Sequence, residues 1–152
     1  MPGNRICRKR GGVSREGAYR VLSAEEEHLQ LIKRLITAIA TRDREDFAAC
    51  LAPNVVLNVP GSTLISGTFR GFQEVMEALA RVAEMSGESL RIRLHDALAN
   101  DQHGIVMYDV SAQRDGRDIG YSHIDIYHFT DDRISEISGF PSDIQEFNRL
   151  YG

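Results

Sequence analysis

Residues 103–129 read HGIVMYDVSAQRDGRDIGYSHIDIYHF. Two runs rich in β-branched and aromatic residues flank Asp115-Gly116, a dipeptide suited to a two-residue hairpin turn because both central positions need positive φ. With the turn closed there, Arg114 pairs with Arg117, Val110 faces Tyr121, Tyr108 faces His123 and Val106 faces Asp125. Those last six side chains point the same way. Alternation at period two adds Tyr127 and Phe129 to that face and sends Ser122, Ile124, Ile126 and His128 to the other. Both faces carry apolar residues, so both need cover.

Outward from the hairpin, residues 90–98 and 133–140 read as two more strands, with turn signals at Asn100-Asp101 and Asp131-Asp132. An earlier β-branched run, residues 55–59, closes at Pro60-Gly61. Helices precede the meander. Ser23-Ala24-Glu25-Glu26 reads as a capping box, and Leu29, Ile32, Leu35, Ile36 and Ile39 then recur at helical spacing up to Asp43. Residues 46–51 predict a short second helix that ends before Pro53. Phe72, Val75, Met76, Leu79, Val82 and Ala83 predict a third, running from Gly71 to a stop at Gly87. Ser142-Asp143-Ile144-Gln145 offers another capping box, for a short terminal helix through Leu150.

Helices first and strands last is an α+β order rather than the alternation that builds a parallel sheet. The expectation is a cone-shaped α+β barrel: three N-terminal helices on a curved, mainly antiparallel sheet, with a short C-terminal helix. Three helices cover one sheet face. The other suggests a homodimer packed through Ile124 and Ile126, with an extended open sheet as the alternative.

At 152 residues and 42% apolar, the chain can bury a single core without disulfides or a structural metal. Residues 23–152 form that domain. No apolar run approaches the roughly 20 residues that cross a bilayer, and no apolar signal segment opens the chain, so a cytoplasmic location without membrane contact is expected. Cys7 and Cys50 form no Cys-x-x-Cys pair and have no His at ligand spacing, so both read as plain thiols. His28, His95 and His128 lack partners at metal-ligand spacing and His103 sits by a turn; no metal is expected. Gly61, Gly67 and Gly71 are turn glycines rather than a phosphate loop, because no Lys-Ser or Lys-Thr follows them. The net charge of −4 hides a basic leader, residues 1–22, with Arg5, Arg8, Lys9, Arg10, Arg15 and Arg20 against Glu16. Such a leader could touch nucleic acid or anionic lipid, but it is Gly-rich and pattern-free. Disorder, or an upstream start codon, is the simpler reading, and nucleic acid is not an expected partner.

The Pro60-Gly61 turn, Ser66-Gly67 and Gly71 ahead of the third helix, the Asp115-Gly116 hairpin, and Ile124-Asp125 followed by Phe129 together resemble the ketosteroid-isomerase-like superfamily. This is also called the nuclear transport factor two fold; the likeness is to its SnoaL-like polyketide-cyclase branch and spans about residues 23–150. The resemblance implies a cone closed by helices over a curved sheet, with a ligand entering at the open end. In ketosteroid isomerases a first-strand carboxylate shuttles a proton, while a Tyr on the first helix and a protonated acid on a late strand stabilise the dienolate oxygen. Asp125 takes the place of that acid, but the base falls at Asn58 or Val59 and the Tyr at Leu35. An amide has no basic lone pair near neutral pH, so isomerisation by that mechanism is not expected. Limonene-epoxide-hydrolase-like members are similar at Asn58-Val59-Pro60 and at Asp143-Ile144-Gln145-Glu146-Phe147. Their Arg-x-Asp positions fall here at Val106 and Tyr108.

Three residues are candidates for catalysis. Asp125, between Val106 and Tyr127, could serve as a buried acid or hydrogen-bond donor, or simply pair with His123 or Asn58 as a polar plug. His123 could be the missing base, oriented by Asp125, or a satisfied structural group beside Tyr108. Asp143 could activate water, or cap the terminal helix. Tyr108, Tyr121, Tyr127 and Val110 would line a site for a flat ligand, with Asn58 at its polar end. The expected function is binding of a small apolar or aromatic, even polycyclic, molecule. Proton transfer without cofactor, as in a cyclase, isomerase or dehydratase, is the chemistry these groups allow. A non-catalytic ligand-sensing or docking module is the alternative, and a limonene-epoxide-hydrolase-like hydrolase a second one.

Overall fold

The computed structural model describes residues 22–152, so the basic leader lies outside the described residues apart from Leu22. Four helices and six strands follow in the order α1 (Ala24–Thr41), α2 (Arg44–Cys50), β1 (Leu51–Val59), β2 (Gly67–Arg70), α3 (Gly71–Ser86), β3 (Arg91–Ala99), β4 (His103–Arg114), β5 (Arg117–Thr130), β6 (Arg133–Pro141) and α4 (Ile144–Tyr151). The strands form one sheet ordered β2-β1-β6-β5-β4-β3. Four of its five pairings are antiparallel and β1–β6 is parallel. The sheet is curved but does not close on itself, since β2 and β3 are free edges; the helices complete the cone, and the class is α+β as expected.

The β4–β5 hairpin has the register read from Asp115-Gly116: Arg114 pairs with Arg117, Tyr108 with His123 and Val106 with Asp125. Both turn residues take positive φ, +52° at Asp115 and +76° at Gly116. The Ser23–Glu26 capping box also forms, Ser23 Oγ accepting from the Glu26 amide while the Glu26 carboxylate accepts from the Ser23 amide.

Three local features differ from expectation. The first strand begins at Leu51, directly after α2, because Leu51, Ala52 and Val55 are buried and apolar burial carries the chain past Pro53 in extended form. The four residues Gly67–Arg70 pair with β1 as an extra edge strand, too short for a periodic signal. And the Ser142 capping box does not form: the cap of α4 is Asp143, as the capping reading of that residue has it, its carboxylate accepting from the Gln145 and Glu146 amides. Ser142 instead accepts from the Ser122 amide through its hydroxyl, tying the end of β6 to β5.

One core cluster lies under α1 and α2, around Ile32, Leu35, Phe47, Val55, Val106 and Ile134. Fully burying an Ile or Leu side chain stabilises by about 1.5–3 kcal/mol, so the stripe on α1 is what docks that helix. Gly104 makes room for it, because a β-carbon there would come within 2.3 Å of Ile32 Cδ1. His28 anchors the same helix, stacked 3.9 Å from the Phe129 ring and bonded at 2.9 Å to the Asn100 carbonyl. A second cluster, with Ile65, Val110, Ile119, Tyr121, Phe147 and Leu150, sits beneath α4. Tyr108 packs against both clusters, which puts it and its neighbours His123 and Asp125 between them.

Candidate functional site

Adjacent strands β4 and β5 aim Tyr108, His123 and Asp125 at the helix-covered face, because residues paired across the ladder share a side. The Tyr108 hydroxyl donates to Asp125 Oδ2 at 3.0 Å. On the other carboxylate oxygen, His123 Nε2 lies 3.3 Å from Asp125 Oδ1, a contact slightly longer than a well-formed hydrogen bond. Aromatic rings surround the imidazole: Tyr108 stacks on it at 5.0 Å, and Tyr121 and Phe147 stand 6.0 and 6.2 Å away. The His123 side chain is 7% accessible and that of Asp125 is 19%. With a proton on Nε2 facing Asp125, the lone pair of His123 is on Nδ1, which has no hydrogen-bond partner among the described residues.

Tyr121, Tyr127 and Val110 join this face and are buried. Burial pushes the phenols of Tyr108 and Tyr127 well above their ordinary range, and the nearby Asp125 charge pushes both further. Tyr121 is also raised, by burial first and then by the neighbouring Tyr151 phenol. All three stay neutral at ordinary pH and act as hydrogen-bonding groups rather than anions. The site thus holds one carboxylate, one imidazole and neutral phenols within apolar walls.

Two sequence candidates are not brought here. Asn58 lies on the opposite face of the sheet: its side-chain amide donates to Glu136 Oε1 and Ser138 Oγ, and its oxygen accepts from Thr68. Ser138 pairs with Ile126, which belongs to that outer side. Alternation within β1 turns Leu57 and Val59 inward instead, so Asn58 is neither a partner of Asp125 nor a water-holding group in the cone. Asp143 is exposed and occupied as the α4 cap. Leu35, the position of the isomerase Tyr, is a fully buried core residue.

Sequence reasoning missed Gly139 and Phe147. Gly139 pairs with Asp125 across β5–β6, and a glycine inside a strand run signals close approach by another group. Phe147 arrives from α4 and had no periodic signal. Also unforeseen is an apolar lip: Ile92 and Leu94 pair with Val110 and Tyr108, so they share the inner face, yet they are 60% and 52% exposed. The helices leave this edge of the inner face uncovered. Two surface depressions lie elsewhere, one of about 370 Å³ against Leu64, Arg81, Glu84 and Met85, the other of about 540 Å³ along the start of α1. Neither includes Tyr108, His123 or Asp125. Among the described residues no cluster of three His, Cys, Asp or Glu side chains suits a metal ion, and no helix is long and apolar enough to cross a membrane.

The chain is similar to an uncharacterized protein of Mycobacterium tuberculosis (strain ATCC 25618 / H37Rv), 29% identical over 120 residues, 78% of this chain and 92% of the relative. In three dimensions it resembles Bal32a from a soil-derived mobile gene cassette, with a TM-score of 0.78 at 17% identity over 86% of this chain and 100% of that one. It also resembles a putative SnoaL-like polyketide cyclase from Jannaschia sp. CCS1, with a TM-score of 0.70 at 10% identity over 86% and 96% of the two chains. Both structural likenesses are of fold. The sequence itself matches the profile of the SnoaL-like domain across residues 32–137, and on that match the chain belongs to the SnoaL-like domain family.

Proposed function

We propose that the protein holds a small aromatic or polycyclic molecule on the inner face of its sheet and moves a proton on it without a cofactor. The observation that supports this is the Tyr108–Asp125–His123 alignment, in which both carboxylate oxygens are engaged and the imidazole is caged by three aromatic rings. Asp125 fixes the ring orientation and balances the imidazolium that forms when Nδ1 takes a proton from carbon. The C–H electron pair then becomes an enolate; the imidazolium returns its proton to carbon in an isomerisation, or, in a cyclisation, to the alkoxide formed when the enolate attacks a second carbonyl carbon. Entry is over the Ile92–Leu94 lip.

An enolisable aromatic ketone tests this. In D2O the wild-type protein should exchange the methyl protons of 2-acetonaphthone, followed by NMR, on the order of 100-fold faster than buffer, the low end for a positioned general base. His123→Ala and Asp125→Asn should return the rate to that of buffer. Exchange that persists in both variants would remove the pair from the chemistry. Ligand sensing without turnover is the second reading, favoured because both Asp125 oxygens are already engaged within the protein; it requires ketone binding with no accelerated exchange. An epoxide-hydrolase role has less support, since Asn58 faces away from the site and Val106 and Tyr108 stand where an Arg and an Asp would be needed.

We propose further that two copies pair through the outer sheet face, whose exposed apolar residues include Leu98, Ile124 and Phe140.

A further inference from the structure

Spacing along the sequence leaves His128 without a metal-ligand partner, but the fold supplies one. His103 opens β4 and His128 lies near the end of β5, and the register set at Asp115-Gly116 pairs them directly across the ladder. Alternation puts both on the outer face with Ile124 and Ile126, on the opposite side of the sheet from Tyr108, His123 and Asp125. Their rings meet edge to face with centroids 4.6 Å apart. Neither imidazole has a hydrogen-bond partner among the described residues. The other three histidines are committed or single: His28 is bonded to the Asn100 carbonyl, His123 lies against Asp125, and His95, exposed on the edge strand β3, has no second imidazole against it.

Two free imidazoles at this separation are the beginnings of a chelate. With metal–nitrogen bonds of about 2.0–2.1 Å and each ring nitrogen about 1.1 Å from its own centroid, two rings on one ion have centroids about 4.5–5.2 Å apart, from octahedral to tetrahedral angles. The observed separation lies inside that window. His103 is exposed and His128 half-buried, so the outer ring can turn about its broad Cβ–Cγ torsion and aim a nitrogen at an ion held by the inner one. Glu136 stands directly across from His128 on β6. Its Oε1 accepts from Asn58 and Ser138, which fixes the carboxylate beside the pair, where its charge favours a cation. No three His, Cys, Asp or Glu side chains gather at ligand range among the described residues, so water fills the remaining coordination positions.

We propose that His103 and His128 form a two-imidazole site for a divalent transition-metal ion of the nickel, copper and zinc group, which imidazole ligands suit. The ion clips β4 to β5 at the end of the hairpin farthest from its turn. The two imidazoles are far apart in the unfolded chain, so the folded state binds the ion more tightly and is stabilised by it. The site lies within one chain and away from the inner face, so it is independent of the proton-transfer function and of the outer-face pairing.

Calorimetric titration of the untagged full chain with nickel chloride tests the site. The wild type should bind one nickel ion per chain, and His103→Ala and His128→Ala should each weaken binding about 10-fold or more, since losing even an outer-shell partner of a metal costs about 10- to 100-fold. His95→Ala, which removes a surface imidazole with no neighbour, should bind as the wild type does. Saturating nickel should raise the Tm of the wild type and of His95→Ala and leave that of the two site variants unchanged. Wild-type affinity in either site variant, an equal loss in His95→Ala, or no binding by the wild type would overturn the assignment. If a site variant does not fold, the wild type alone decides: substoichiometric Cu2+ should broaden the Hε1 proton signals of His103 and His128 first, and broadening that begins at His28, His95 or His123 overturns the site.

Discussion

A β-carbon on Gly139 would stand 2.7 Å from Nε2 of His123 and 3.3 Å from Oδ1 of Asp125. The backbone of β6 is thus the wall that holds the imidazole against the carboxylate. Gly139 is a positioning residue, and its hydrogen is the largest group the pair tolerates there. Gly139→Ala should force the ring off its contact, at about 1–3 kcal/mol of stability, and lower ketone proton exchange at least as much as His123→Ala does. Thermal unfolding and the exchange rate measure the two effects. Wild-type exchange in a folded Gly139→Ala protein would show that the contact does not matter.

The phenols give a pH prediction. Burial raises the folded-state pKa of Tyr108, Tyr121 and Tyr127 above the unfolded value near 10. A raised folded pKa contributes stability that is fully present below the unfolded pKa and lost as pH climbs past it, because only the unfolded chain then ionises freely. The protein should therefore hold its fold up to about pH 10 and unfold cooperatively above it. The ultraviolet phenolate signal of these three residues should appear together with the loss of far-ultraviolet circular dichroism. Gradual ionisation of all tyrosines in an intact fold would contradict their placement.

The elements that proved legible are those where one physical rule decides. Asp115-Gly116 fixed the hairpin register, and with it the shared face of Tyr108, His123 and Asp125, because the turn needs two positive φ angles and a ladder admits one alignment thereafter. Asn58 failed for the complementary reason: its run of five apolar or amide residues has no strict alternation, and a one-residue ambiguity in a strand reverses the face. That ambiguity was present in the sequence as the choice between Asn58 and Val59, and the structure resolves it in favour of Val59 facing inward. The β2 strand and the contact of Phe147 with the imidazole depend on tertiary packing that no local period encodes.

Asp143 separates the two roles a terminal-helix carboxylate can have. Its side chain accepts from two backbone amides, Gln145 at 2.9 Å and Glu146 at 3.0 Å, which are donors the first turn of α4 cannot satisfy internally. Asp143→Ala should cost about 1 kcal/mol, and it should leave ketone exchange at the wild-type rate. Asp143→Asn, which keeps a capping oxygen, should recover most of the stability. Loss of exchange in a stable Asp143→Asn protein would restore this carboxylate to the catalytic set.

On the outer face Ile124 pairs with Phe140, and the two are 38% and 52% exposed, with Leu98 at 53% nearby on the same sheet. Helices α1, α2 and α3 lie on the other side, so nothing among the described residues covers this patch. A polar group, Asn58 with Glu136, Ser138 and Thr68, lies within it and would fix the register of a second sheet laid against it, as buried polar clusters do at apolar interfaces. A stable pairing of this kind needs about 1,200 Å² or more of buried surface. Ile124→Glu would place a charge in that interface on each partner. The wild type should sediment as a dimer at micromolar concentration and Ile124→Glu as a monomer with unchanged circular dichroism, since a lone Glu on a solvent-facing strand position perturbs the isolated fold little. Sedimentation of the wild type as a monomer at every concentration would leave this face to solvent or to a different protein.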